Sequence, residues 1–279
     1  MSLPAKHESK NSDSSRALWE SGLGSEISFW DEWLASKGGR WAAGFTRLLD
    51  HSRELEPSFK ELIDAPPRSV VKLLDVGAGP ITSLAVRWEG RHVVTIAVDP
   101  LAQEYERAIL KNGIVPLVWT EPGEAEKLTE IFLPDEFDLV HASNCIDHTY
   151  DPMRALREML TVTKPGRSVV LEHAQNEGVF QNYDGLHQWN FDFQGGELVL
   201  WRPDSRRSAT REFAGLCSVD VRVGDMEGGR KWISARLRKN ADSKPEVPLR
   251  YRLIDQLNAS AKKLPLLHGL LRRAGEYIR

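Results

Sequence analysis

The sequence predicts an α/β protein: a doubly wound, mostly parallel sheet of seven strands with an antiparallel terminal hairpin, a helical cap before it and a helix after it. Three observations predict this. Val70-Val71-Lys72-Leu73-Leu74-Asp75-Val76-Gly77-Ala78-Gly79-Pro80 reads as an apolar strand that ends in an acid and a Gly-x-Gly turn. Glycines placed there let backbone N–H groups approach a ligand that side chains would block. Strand-like and helix-like segments then alternate as far as Glu172, the rhythm of a parallel sheet covered on both faces. Finally, two strand-like runs flank Glu227-Gly228-Gly229 and close the sheet as an antiparallel pair.

Taken in order, residues 1–15 are polar, rich in Ser and Lys, and read as a disordered tail. Residues 16–66 read as a helical cap, because Ile27, Trp30, Trp33 and Leu34 recur at spacings of three and four and share a helix face. Gly38-Gly39 breaks that helix, and Phe45, Leu48 and Leu49 begin another stripe. The central domain occupies 67–240. Its expected elements are a strand at Val70–Val76, a helix at Ile81–Trp88, a strand at Val93–Val98 and a helix at about Leu101–Lys111. A short strand at Pro116–Trp119 follows, then a loop and weak helix from Glu121, and a strand at Phe137–Ala142. Asp151 reads as the N-cap of a helix running to Thr161, with Pro152 in its first position. Lys164-Pro165-Gly166 reads as a turn, and Ser168–Glu172 as the fifth strand. A hairpin inserted at about 183–203 turns at Gly195-Gly196, Arg206–Ala214 reads as a helix, and Ser218–Val223 pairs with Lys231–Arg238. Residues 241–279 read as a polar linker and a basic amphipathic helix, a surface for its own domain or a second subunit in a homodimer, with membrane contact as the lesser alternative because its polar face is mixed.

At 41% hydrophobic and 28% charged the chain has an ordinary globular composition, and a net charge of −3 gives no reason to expect a nucleic-acid partner. No transmembrane run or signal-peptide core is legible, and Cys145 and Cys217 lack metal-type spacing, so a reduced, cytoplasmic protein is expected.

Over about Val70 to Lys239 the chain resembles the class I S-adenosylmethionine-dependent methyltransferases. Asp75-Val76-Gly77-Ala78-Gly79 resembles the acidic-glycine motif, and the likeness implies that it cradles the methionine end of S-adenosyl-L-methionine. Asp99, followed by Pro100, matches the acid that takes both ribose hydroxyls. Glu124 and Ala125 match the acid and next N–H beside adenine, with Glu124 replacing the commoner Asp. Ser143-Asn144-Cys145-Ile146-Asp147-His148 is similar to the active-site loop after the fourth strand. The resemblance implies a Rossmann-like fold. Independently of it, one carboxylate can accept both hydroxyls of a ribose, and an acid about twenty residues beyond a glycine turn is placed to do so. That feature also serves NAD, which makes a dehydrogenase the competing enzyme class. Against it, the third fingerprint glycine is absent and no Tyr-x-x-x-Lys pair occurs. Asp75 either touches the cofactor or orients the glycine loop.

The expected reaction is methylation of a hydroxyl, whose proton must leave during attack. His148 is the candidate base, with a pocket-shaping loop histidine as the other reading; His187 is a second candidate, and Asp147 lies beside His148. Asp147, Glu172 and His173 form a candidate Mg2+ set, because neighbouring parallel strands meet at their carboxyl ends, and simple hydrogen bonding to loops is the alternative. Tyr183, Gln188 and Trp189, together with Trp30 and Trp33, are candidate substrate contacts. Their mixture of aromatic and amide groups suits a sugar or oligosaccharide and resembles methyltransferases of polysaccharide biosynthesis. Another small-molecule acceptor, methylated at O or N, and a cofactor-binding regulatory module without turnover are the alternatives.

Overall fold

The computed structural model describes the backbone of residues 5–242 and the side chains of residues 15–242 other than Glu227. Its strands are β1 (Val70–Val76), β2 (His92–Asp99), β3 (Thr120–Pro122), β4 (Phe137–Ser143), β5 (Thr163–Ala174), β6 (Asn190–Gln194), β7 (Glu197–Arg202), β8 (Ser205–Ser208), β9 (Cys217–Asp225) and β10 (Lys231–Lys239). The longer helices are α1 (Ala5–Ala35), α2 (Ala42–Leu48), α3 (Pro57–Ile63), α4 (Ala102–Lys111) and α5 (Pro152–Val162). Seven strands form one sheet in the order β3-β2-β1-β4-β5-β10-β9. Strands β1 to β5 run parallel, and β10 is antiparallel to both β5 and β9. This is the expected Rossmann-like sheet with its antiparallel end. The order reverses between β1 and β4, so their carboxyl ends open onto a crevice. No described helix is long and apolar enough to cross a membrane.

The strands form where apolar residues run without interruption. Six of the seven β4 residues are buried, and they pack with Leu74, Val98 and Val169 in the main core. Helix α5 begins as expected: the Asp151 side chain accepts from Arg154 N at 3.1 Å and Pro152 occupies the first turn. Its stripe of Met153, Leu156, Met159 and Leu160 closes one face of the sheet.

Several elements depart from expectation. No helix follows the glycine turn: Ile81–Trp88 is irregular. Its polar groups are claimed from outside, since Thr82 Oγ1 and Ser83 N donate to Asp75 Oδ2 (2.6 and 3.1 Å) and Arg53 donates to Ser83 O (2.7 Å). Arg87 pairs with Glu54, and its carbonyl accepts from Leu55 N at 2.7 Å. The third strand lies at Thr120–Pro122, after Pro116–Trp119, and Lys164-Pro165-Gly166 is part of the longer β5. The inserted hairpin is a three-stranded sheet, β6-β7-β8, so the expected helix at Arg206–Ala214 shrinks to one turn at Ala209–Glu212. Helix α1 starts well before Arg16, so its backbone takes in most of the stretch read as a disordered tail. Of the expected linker and C-terminal helix, residues 243–279 lie outside the described residues.

The cap spans the carboxyl edge of the sheet. At one end Trp19 and Leu23 pack with Tyr150 and Leu186. At the other, Trp33, Leu34 and Phe45 pack with Ile81 and with Ala108 and Ile109 of α4. Between them α1 makes backbone-close contact, because a Cβ on Gly22 would lie 2.8 Å from the carbonyl of Gly185.

Beneath the crevice, β1 and β4 are joined by a buried ion pair. Asp75 and His141 are register partners, and His141 Nδ1 donates to Asp75 Oδ1 at 2.8 Å. Burial works against both charges. For Asp75 the imidazolium, Thr82 and Ser83 overcome it and hold the carboxyl below its ordinary value; for His141 the carboxylate overcomes it and lifts the imidazole to about 9. Breaking such a pair from one side costs about 3–5 kcal/mol. Asp75→Asn is therefore expected to lower the unfolding free energy by roughly that amount in urea titration. The His141 contribution is complete below its unfolded value of 6.5 and is lost as pH rises through about 9. The Asp75 contribution is complete above 3.8 and is lost as pH falls through its depressed folded value. The mutational penalty should thus be greatest between about pH 4 and 6.5, and a penalty unchanged into strong alkali would contradict the pairing.

Candidate active site

Two adjoining cavities open at the carboxyl ends of β1, β2 and β4. The first is bordered by all nine residues expected to hold the cofactor: Asp75, Gly77, Ala78, Gly79, Asp99, Pro100, Glu124, Ala125 and Asn144. Gly77 and Gly79 take left-handed conformations, with φ of 62° and 63°. Space is short as well: a Cβ on Gly77 would lie 2.6 Å from Cys145, with no room for it, and one on Gly79 3.2 Å from the Trp30 ring, which would have to give by a few tenths of an ångström. The loop is pinned on three sides. Ala78 N donates to Val98 O (3.1 Å), Gly79 N to Asp99 Oδ2 (3.1 Å), and Thr120 Oγ1 to Gly79 O (2.8 Å).

Asp75 spends its oxygens on His141, Thr82 and Ser83, which holds the chain leaving the glycine turn against the end of β1. Asp99 accepts Gly79 N and Leu101 N on separate oxygens, leaving each oxygen a second lone pair. Burial pushes its carboxyl up to about 7, against the pull of those two N–H groups. Glu124 is also buried in part, yet Arg16, Lys127 and Tyr150 hold it down at about 2. Arg16 reaches it from α1 with two nitrogens, at 3.1 and 3.2 Å. Glu126, which sequence reasoning passed over, also borders the cavity; burial raises it to about 7 although Tyr150 N and Asp151 N donate to it.

The second cavity shares Glu26, Trp30, Leu48, Ser143, Asn144, His148 and Leu186 with the first. Its further walls include Phe29, Trp33, Trp41, Phe45, Arg40, Gln181, Asp184, His187 and Arg230. Trp30 and Trp33 are therefore where the aromatic stripe placed them. Tyr183, Gln188 and Trp189 border neither cavity. Tyr183 accepts from Asn190, Gln188 Nε2 ties the carbonyls of Tyr183 and Gly185 together, and Trp189 is packed inward under Arg202. Glu26 was missed; its one sequence signal is that it stands four residues before Trp30, whose Nε1 donates to it at 2.6 Å.

Asp147, His148 and His187 meet where the cavities join. His187 Nδ1 lies 2.9 Å from Asp147 Oδ2 and 3.0 Å from His148 Nε2. Burial disfavours both charges here too, but Asp147 is held down at about 2 by the surrounding histidines and His187 is raised by Asp147. Of the expected Asp147, Glu172 and His173 set, Asp147 Oδ1 and His173 Nδ1 approach to 3.7 Å, and Glu172 is turned elsewhere. Glu172 faces His141 Nε2 at 3.6 Å. His173 is fully buried, stacks on Phe191 at 4.1 Å and accepts from Ile146 N at 3.3 Å. Burial drives its imidazole down to about 4, so it is a neutral core histidine.

Residues 74–171 match the family model described as a methyltransferase domain. The chain is 27% identical over 167 residues to norajmaline N-methyltransferase of Rauvolfia serpentina, covering 58% of this chain and 55% of that one. It is 33% identical over 149 residues to the ubiquinone/menaquinone biosynthesis C-methyltransferase of Vibrio campbellii, covering 51% and 56%. An uncharacterized methyltransferase of Mycobacterium tuberculosis is 33% identical over 115 residues, covering 40% and 42%. The chain spans about half the length of these curated relatives.

Asp99 yields a direct check. Its ionised form is the better acceptor for two hydroxyls, so affinity for S-adenosylhomocysteine, measured by calorimetry, should rise as pH passes upward through about 7. Asp99→Asn should bind more weakly and lose that rise. Gly77→Ala should bind at least about tenfold more weakly, since its Cβ has no space beside Cys145.

Proposed function

We propose that the chain, whose residues 74–171 match a methyltransferase-domain family model, is an S-adenosylmethionine-dependent methyltransferase that methylates a small-molecule hydroxyl lodged in the second cavity. The single observation that carries this reading is the junction: a glycine-lined cavity and an aromatic-walled one share Asn144, His148, Glu26 and Trp30. The turn through Gly77, Ala78 and Gly79 suits an aminoacyl group, because the two glycines, tightly packed at Cβ, leave the main chain open to contact. Asp99 would take the ribose diol. Bound there, S-adenosyl-L-methionine supplies a sulfonium methyl that is already electrophilic.

The chain's own tasks are alignment and proton removal. Walls on both sides of the junction would position an acceptor against the cofactor, and alignment of reacting groups is worth roughly 7–11 kcal/mol when well made. His148 is the member of its cluster open to both cavities, which favours it over His187 as the base for the hydroxyl proton. Asp147 behind it stabilises the charge that develops. Glu124, tied to Arg16 and Tyr150, acts on the adenine end chiefly by anchoring α1 over the site.

A sugar or oligosaccharide is the acceptor class we favour, since Trp30, Trp33 and Trp41 offer flat faces while Gln181, Asp184 and Arg40 offer polar forks. A second reading, N-methylation of an aromatic amine, is favoured by the same aromatic walls with Glu26 among them.

Transfer of a labelled methyl group to a panel of sugars, oligosaccharides and amines tests both. His148→Ala is expected to slow transfer to a hydroxyl by about 10²–10⁴-fold while S-adenosylhomocysteine affinity stays within a few-fold. Undiminished turnover in that variant would refute the assignment of the base.

A further inference from the structure

The Asp147, His148 and His187 cluster is not satisfied by hydrogen bonds alone. A ring nitrogen has one in-plane position, occupied by either a proton or a lone pair. His187 Nδ1 nevertheless faces two partners, Asp147 Oδ2 at 2.9 Å and His148 Nε2 at 3.0 Å. It can serve one of them. The third side of the triangle, His148 Nε2 to Asp147 Oδ2, measures 3.5 Å. Donor atoms held about 2.0–2.1 Å from one tetrahedral cation would stand about 3.3 Å apart, so all three separations fall near that value. Asp147 is almost fully buried: its Oδ2 faces the two histidines of the cluster, while its Oδ1 turns away from them, 3.7 Å from His173 Nδ1.

We propose that Asp147, His148 and His187 are three ligands of a divalent transition-metal ion, zinc or a first-row neighbour, at the junction of the two cavities. Two imidazoles and one carboxylate suit such ions, whereas Mg2+ prefers a shell of oxygens. Only the three groups named offer ligand atoms within 4.8 Å of one another among the described residues. His148 and His187 border the second cavity and Asp147 closes the cluster from behind, so the remaining coordination position faces that cavity. That is the open position a catalytic rather than a structural site keeps. The backbone supports the ligands, since Gln188 N donates to Asp147 O at 3.1 Å and ties the two loops together. Metal binding itself stands on this geometry alone. Its consequence for the acceptor rests on the reading above: in the metal-free chain His148 remains the base assigned there, and a bound ion would acidify the hydroxyl in its stead, with His148 among the ligands.

The test uses the full chain, stripped with EDTA and titrated with Co2+ alone as a spectroscopic probe. The expected result is one equivalent bound, with visible d–d bands abolished by Zn2+ and untouched by excess Mg2+. His187→Ala and Asp147→Asn should each weaken Co2+ at least about tenfold, while His51→Ala, on a distant exposed residue, should not. His187 is partly exposed, which makes its variant the one to trust for folding should Asp147→Asn fail. Absence of one-equivalent binding, or binding indifferent to His187→Ala, overturns the proposal. S-adenosylhomocysteine is titrated into the same samples. If it binds where Co2+ does not, the metal site falls and the methyltransferase reading stands; the reverse pattern sinks that reading and leaves the metal site in place.

Discussion

The buried contact between Asp75 and His141 is what the rest of the site depends on. It crosses from β1 to β4, the two strands at which the sheet reverses its order. One oxygen of Asp75 holds the histidine and the other gathers Thr82 and Ser83. The chain leaving the glycine turn is thereby bent back over the strand end. A carboxylate with a single neutral partner would not persist in that setting, because desolvation disfavours the lone charge. The turn is held open by electrostatics below it, not by a helix dipole in front of it.

That distinction explains where the sequence could be read and where it could not. The alternation of strands and helices, the antiparallel closure, and the Asp75, Gly77, Gly79 and Asp99 part of the first cavity follow from local patterns, whereas Glu124, Ala125 and Asn144 are reached through the family resemblance. Ile81–Trp88 misleads because its helix-compatible composition is overruled by partners from Asp75, Arg53 and Leu55, which no local window contains. Arg16 and Glu124 are 108 positions apart, and neither carries a signal naming the other. Trp189 and Gln188 have the composition of a ligand site but the contacts of a folded loop. Composition reports what a side chain could contact, and the loop's own hydrogen bonds decide what it does contact.

The histidines show the same limit at closer range. His141, His148, His173 and His187 all sit near the carboxyl edge, and the sequence marks His148 and His187 as candidate bases and His173 as a metal ligand without showing which of them are buried. Burial with a facing carboxylate keeps His141 charged, and burial against a ring keeps His173 neutral. His148 and His187 are left at the cavity wall, where they can do chemistry.

The seam between Gly22 and Gly185 leaves less than a methyl group of clearance. Trp30 hangs from the same helix, two turns further on, with its ring against Gly79. An added residue between the seam and the indole would swing that ring about 100° around the axis, away from the crevice. Descent can therefore vary the surface of α1 freely, while the spacing from position 22 to position 30 behaves as a ruler that tolerates no single-residue change.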